Sequence, residues 1–145
     1  MVTLRQARSA DYRQLFELYE ELNPLDPAPD TREWLIFEKI LNNDDLILFV
    51  AESTNQLLAT CYLNIIPNLT RGGYPYALIE NVVTRASHRH QGIGKQLLLY
   101  AQAHAWSRDC YKIMLLTGSE DESTHAFYLA CGFSGDMKHG YIIRR

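Results

Sequence analysis

Between positions 85 and 95 the chain gathers Arg85, His88, Arg89, His90 and Lys95 around two glycines, Gly92 and Gly94. The run Arg89-His90-Gln91-Gly92-Ile93-Gly94 separates a short apolar stretch from a long helix-forming one. Its backbone N–H groups therefore stand at a helix start, where they have no intrahelical partner. The helix dipole adds about half a positive charge at the same place. An anion, above all a phosphate, suits such a turn. Just upstream, Glu80 interrupts Leu78-Ile79-Glu80-Asn81-Val82-Val83. A carboxylate inside an apolar strand is costly unless solvated or partnered. It could serve as a general base or sit at a rim, held by an Arg or Tyr; the residues alone leave both open. Asn81 points to the opposite face and is the weaker candidate.

Two familiar phosphate motifs fail by inspection. The dinucleotide fingerprint Gly-x-Gly-x-x-Gly needs glycine where Leu97 stands. The P-loop needs glycine at Arg89 and Ser or Thr at Gln96. No set of His, Cys, Asp and Glu has metal-ligand spacing, so no metal is expected. Cys61, Cys110 and Cys131 are odd in number and widely spaced. They read as free thiols in a reducing compartment rather than as a disulfide framework. Cys110 and Cys131 lie near apolar segments and suit inert core positions.

The elements that must position these groups follow from periodicity. Residues 2–8 alternate as a half-buried strand, and Ser9 or Asp11 can cap the helix that follows, with its stripe of Leu15, Leu18, Tyr19 and Leu22. Three prolines make 23–30 a stiff loop, and Thr31 opens a second helix. Residues 46–51, 57–66 and 75–84 read as strands separated by polar or glycine-rich turns. A helix over 91–107 precedes a strand at 112–117, whose Ile-Met-Leu-Leu run suggests a central position covered on both faces. Residues 121–131 form a helix stopped by Gly132. Two short strands from Phe133 onward and at 140–144 complete the order β-α-α-β-β-β-α-β-α-β-β. The expectation is one α/β domain over 1–145, a mixed sheet of about seven strands flanked by about four helices, with a right-handed crossover through the helix at 91–107.

A net charge of −3 argues against nucleic-acid binding. No apolar run reaches the ~20 residues that span a membrane, and no signal peptide opens the chain. A soluble cytoplasmic protein is the expectation.

Arg89-His90-Gln91-Gly92-Ile93-Gly94-Lys95 resembles the pyrophosphate loop of the GNAT N-acetyltransferase superfamily, Gln/Arg-x-x-Gly-x-Gly/Ala. His125-Ala126-Phe127-Tyr128-Leu129-Ala130-Cys131-Gly132-Phe133 resembles the family's His-x-Phe-Tyr-x-x-x-Gly-Phe segment, and the element order matches over essentially the whole chain. The resemblance implies acetyl-coenzyme A as co-substrate. Arg89, His90, Gln91, Gly92, Ile93, Gly94 and Lys95 would hold its pyrophosphate. Val82, Val83 and Thr84 would line the pantetheine arm on one side, and residues 116–119, with Ser119 as a polar contact, on the other. The arm would lie between two splayed strands like an extra strand.

The same resemblance implies direct acetyl transfer to a primary amine, with Tyr128 protonating the leaving thiolate and Glu80 relieving the amine of its proton, directly or through water. Asp121 departs from the Asn common in the family and could equally cap its helix; His125 matches a family position but suits packing as well. His104 reads as a surface residue. The acceptor, expected against the first two helices and the last hairpin, is first of all a small-molecule amine. A protein Lys or N-terminal amine, or a non-catalytic acyl-coenzyme A sensor, are the alternatives. A second subunit could pair an exposed edge strand near the C-terminus, giving a homodimer.

Overall fold

A computed structural model describes the whole chain, residues 1–145. Strands β1 (Thr3–Gln6), β2 (Leu46–Ser53), β3 (Gln56–Ile66), β4 (Tyr76–Thr84) and β5 (Ile113–Leu115) form one sheet in sequential order. The first three pairings are antiparallel, and β4 with β5 is parallel. Helices are α1 (Tyr12–Leu22), α2 (Thr31–Leu41), α3 (Ile93–Ser107) and α4 (Glu122–Ala130). The mixed α/β domain expected from the sequence is the one observed, with α3 as the crossover between parallel strands.

Alternation along β2 assigns the layers. Leu48 and Val50 join Leu15 and Leu18 of α1, Phe37 of α2, Leu57 and Val83 in one buried cluster. Ile47, Phe49 and Ala51 face the other way, into a larger cluster with Leu97, Leu98, Ala101 and Ala105 of α3. Successive strand residues point to opposite faces, so a single strand serves both cores. Helix α2 starts at Thr31 because a capping box closes it. Asp30 accepts the Thr31 N–H at 2.7 Å, and Glu33 accepts the Asp30 N–H at 2.7 Å.

Asp11 follows different logic from a simple cap. Its buried carboxylate takes two hydrogen bonds from the Arg5 guanidinium, at 2.7 and 2.9 Å, and one from the Arg8 N–H. Burial alone would raise its pKa, but these donors bring the net shift down.

Three expectations require correction. The two C-terminal strands are absent: after Phe133 no regular element forms, so the sheet has five strands rather than seven. The strand expected at 112–117 covers only Ile113–Leu115 and lies at the sheet edge, partly buried, rather than centrally. Its Ile113 and Leu115 pack against the larger buried cluster without being buried themselves. His104 is not a simple surface residue. Its ring packs edge-on against Phe49 at 5.3 Å, and Nε2 is buried without a partner.

Candidate active site

Parallel pairing of β4 with β5 runs from Ala77↔Ile113 to Ile79↔Leu115 and stops there. Beyond it the two chains continue without cross-pairing, as residues 80–84 on one side and 116–119 on the other. A gap bordered by free main chain therefore opens toward the C-terminal ends of both strands, the place where open α/β sheets bind ligands. At its mouth β4 is distorted. Tyr62 pairs with Glu80 and Thr60 with Val83, so Asn81 and Val82 together face the single residue Cys61. Asn81 takes φ +52°, the left-handed region that Asn tolerates better than most residues. This is a β-bulge, and it shifts the side-chain alternation by one.

The shift decides which side each candidate faces. Ile79 and Val82 pack with the α3 cluster, whereas Val83 packs with α1. Glu80 lies beside Tyr62, which packs on the α1 side. It is half-buried and takes no hydrogen bond or ion pair, so the rim carboxylate held by Arg or Tyr is not what the structure holds. Tyr128, on α4, packs against the opposite cluster, with the Phe127 ring at 5.2 Å and Phe133 at 6.2 Å. Burial, with smaller effects from the Cys131 and Cys61 thiols, raises its pKa, so the phenol keeps its proton through neutral pH. Glu80 and Tyr128 thus stand on opposite faces of the sheet, with the gap between β4 and β5 lying between those faces.

The glycine turn follows β4 as expected. His90 and Gly92 both take left-handed φ, +61° and +78°, and Gly92 is the N-cap of α3. Ile93 and Gly94 are buried, so their side-chain positions belong to the core and only their N–H groups face the turn. Gly94 is closely packed. A Cβ there would stand 2.8 Å from Thr84 Oγ1 and 3.2 Å from Phe127 Cζ. The end of β4, the start of α3 and helix α4 therefore converge on one glycine.

The arginines of this segment are anchored to α1. Arg85 donates to the Leu57 carbonyl and pairs with Glu17 at 3.3 Å; Arg89 donates to the Thr84 carbonyl at 3.0 Å and lies 3.7 Å from Glu21. Glu21 also accepts the Ala86 N–H at 2.8 Å. Lys95 is exposed on the first turn of α3.

On the other wall, Ser119 donates to Thr124 and accepts the Asp121 N–H, and the His125 ring meets the Ser119 carbonyl at 2.8 Å. His125 therefore helps shape residues 119–121. Asp121 occupies the N-cap position of α4 but makes no side-chain cap bond. All three cysteines are buried and free, and burial raises each thiol, Cys61 to about 12. None suits a nucleophile. No cluster of metal-ligating side chains exists, and no helix is long and apolar enough to cross a membrane.

Two contributors escaped sequence reasoning. The Asn81 bulge had a faint signal, since Asn is disfavoured in strands and tolerates positive φ. Glu21 had none, because its partners lie 65 and 68 residues away.

The Acetyltransferase (GNAT) family model matches residues 12–133. The chain belongs to the GNAT acetyltransferase family. Relatives similar in sequence include a glucosamine 6-phosphate N-acetyltransferase of Trypanosoma brucei brucei, 34% identical over 86 residues. That match covers 59% of this chain and 56% of the relative, so the alignment spans little more than half the relative's length. In structure, a provisionally named acetyltransferase of Agrobacterium tumefaciens superposes with a TM-score of 0.93 at 44% identity, covering 99% of both chains. Glucosamine-6-phosphate N-acetyltransferase from Arabidopsis thaliana superposes at 0.87 with 25% identity, over 100% of this chain and 98% of that one. Family and relatives together make this chain an enzyme of the N-acetyltransferase type.

Proposed function

We propose that the protein transfers the acetyl group of acetyl-coenzyme A to the primary amine of a small molecule by direct attack, without an acyl-enzyme. The observation that carries this reading is the main chain of residues 80–84, which pairs with β3 but has no strand partner on the β5 side. A single 3-10 turn, Ala86–His88, joins it to the glycine turn at the α3 N-terminus. An extended pantetheine arm would pair with that main chain, and its pyrophosphate would meet the N–H groups of residues 91–95.

The reaction has two proton transfers, and the two faces of the sheet divide them. An alkylammonium of pKa about 10 must be deprotonated before attack, and a thiolate of pKa about 8.5 must leave. Glu80, half-buried and unpaired on the α1 side, takes the amine proton, directly or through a water. The amine nitrogen then bonds the acetyl carbon, the C–S bond breaks, and Tyr128 on the α4 side protonates the departing sulfur. Buried, high-pKa thiols favour this direct route over a cysteine acyl-enzyme.

An amino sugar is the acceptor to try first, since the relatives at 34% and 25% identity are named for glucosamine 6-phosphate. The test is coenzyme A release from acetyl-coenzyme A over amino sugars and their phosphates, polyamines, aminoglycosides, amino acids and peptides. Turnover with a small amine is expected, falling ~10²–10⁴-fold in Tyr128→Phe with cofactor affinity unchanged. Turnover only with peptides, or none with any acceptor despite cofactor binding, overturns the proposal.

A further inference from the structure

The face of the sheet that Glu80 occupies carries a second unused oxygen. Glu80 lies opposite Tyr62 on β3, and Leu78 lies opposite Asn64. Residues directly opposite in an antiparallel pair share a face, as do residues two apart on one strand. Tyr62, Asn64, Leu78 and Glu80 are therefore neighbours on the α1 side, and all four are half-buried. Asn is uncommon within strands, and the contacts of Asn64 use only half of its amide.

Nδ2 of Asn64 donates to the Leu78 carbonyl at 3.2 Å, with the Tyr62 carbonyl at 3.5 Å. A carbonyl only accepts, so the nitrogen end of the amide must face Leu78. Oδ1 is turned away from Leu78 and receives no hydrogen bond. It is not sealed inside the protein either, since the one buried side-chain polar atom without a partner is Nε2 of His104. Asn64 Oδ1 is thus a free acceptor in front of the sheet, as is the Glu80 carboxylate. Residues placed diagonally across an antiparallel pair stand about 7–8 Å apart, a separation that one nitrogen between their side chains can bridge.

The geometry points to Asn64 as the residue that orients the acceptor nitrogen together with Glu80, an assignment that rests on the acetyl transfer proposed above. Once Glu80 has taken one proton from the ammonium, the neutral amine keeps two N–H groups and a lone pair. Asn64 Oδ1 and the remaining carbonyl oxygen of Glu80 hold those two N–H groups on the α1 side. The lone pair then turns toward the gap between β4 and β5, where it bonds the acetyl carbon as the C–S bond breaks. Two acceptors also select by class. A secondary amine has one N–H left after deprotonation, so one of the two oxygens goes without its partner. The site therefore favours primary amines over their N-methyl counterparts.

Steady-state kinetics test this with glucosamine 6-phosphate, or whichever amine of the panel above turns over fastest, and with its N-methyl counterpart. Asn64→Ala should lower kcat/KM for the primary amine about three- to tenfold, with the KM of acetyl-coenzyme A unchanged. The N-methyl amine should lose little, so the preference for the primary amine narrows by the same factor. Asn64→Ser keeps a donor for the Leu78 carbonyl, but its oxygen is too short to reach the amine. It should behave as Asn64→Ala does, which separates the lost contact from a disturbed strand. An unaltered chain that binds coenzyme A but acetylates no amine overturns the transfer reading and this assignment with it. Turnover by the unaltered chain, with equal losses for both amines in the variants, no loss at all, or full recovery in Asn64→Ser, overturns the assignment of Asn64 alone.

Discussion

The carboxylate of Glu21 lies 3.7 Å from the Arg89 guanidinium while accepting the Ala86 N–H at 2.8 Å. One side chain of α1 thus holds both the main chain at Ala86 and Arg89, the arginine that opens the glycine turn. One turn earlier, Glu17 pairs with the Arg85 guanidinium at 3.3 Å. Through these pairs the helix covering one face of the sheet sets the entry angle of the turn at its edge.

The contact makes a measurable difference if the turn binds phosphate. Glu21→Ala should weaken coenzyme A binding about five- to tenfold, within the net range of one typical hydrogen bond. Glu21→Gln should recover most of that, because its amide oxygen can still accept from Ala86. Titration calorimetry reads both, and equal loss in the two variants would show that the charge, not the Ala86 bond, holds the turn.

Gly94 predicts a steric coupling. Gly94→Ala drives a methyl against Thr84 Oγ1 and the Phe127 ring, an overpacking cost of about 1–3 kcal/mol. Thr84→Ala removes the nearer obstacle, so the double variant should unfold at a higher temperature than Gly94→Ala alone. Additive losses in the cycle would remove the contact from the argument.

Much of this was legible in the chain, and the failures have physical causes. Turn and helix starts were readable at Thr31 and Gly92 because capping chemistry is local. The strands themselves were readable from their length and bounding turns, but which face each side chain of Leu46–Ala51 takes was hidden, because that run is apolar throughout. The end of the sheet was not. Residues 140–144 have strand-forming composition, but a strand needs a partner, and this chain alone supplies none. The run at 112–117 is apolar for its length, yet composition cannot distinguish a central strand from an edge strand packed by helices. His104 was misplaced because one ring can lie on a helix surface and still bury a nitrogen against Phe49.

That nitrogen gives a pH dependence. Burial, and then the neighbouring Arg108 charge, lower the pKa of His104. The folded protein therefore holds the neutral ring more strongly than the unfolded chain, whose histidine titrates at about 6.5. Stability is fully present above that pH and is lost as pH falls below it. Denaturant midpoints for His104→Gln should change less between pH 7 and 5 than those of the unaltered chain. Parallel curves would acquit His104.

Tyr128 carries a prediction of the opposite kind. Since burial raises its phenol above the ordinary value of about 10, turnover should not decline with ionisation of this group anywhere below pH 10. A basic limb near pH 9 that vanishes in Tyr128→Phe would contradict the proton-donor role proposed for it.

The early end of the β4–β5 ladder at Ile79 and Leu115 has a thermodynamic corollary. A ligand that lies along residues 80–84 binds the folded state and has nothing comparable in the unfolded chain, so mass action makes it a folding reagent. The melting temperature then ceases to be a constant of the polypeptide and climbs with the logarithm of ligand concentration, by about 2.7 kcal/mol of stabilisation at a hundredfold excess over Kd. Heat resistance of this protein in a cell would report the size of its cofactor pool.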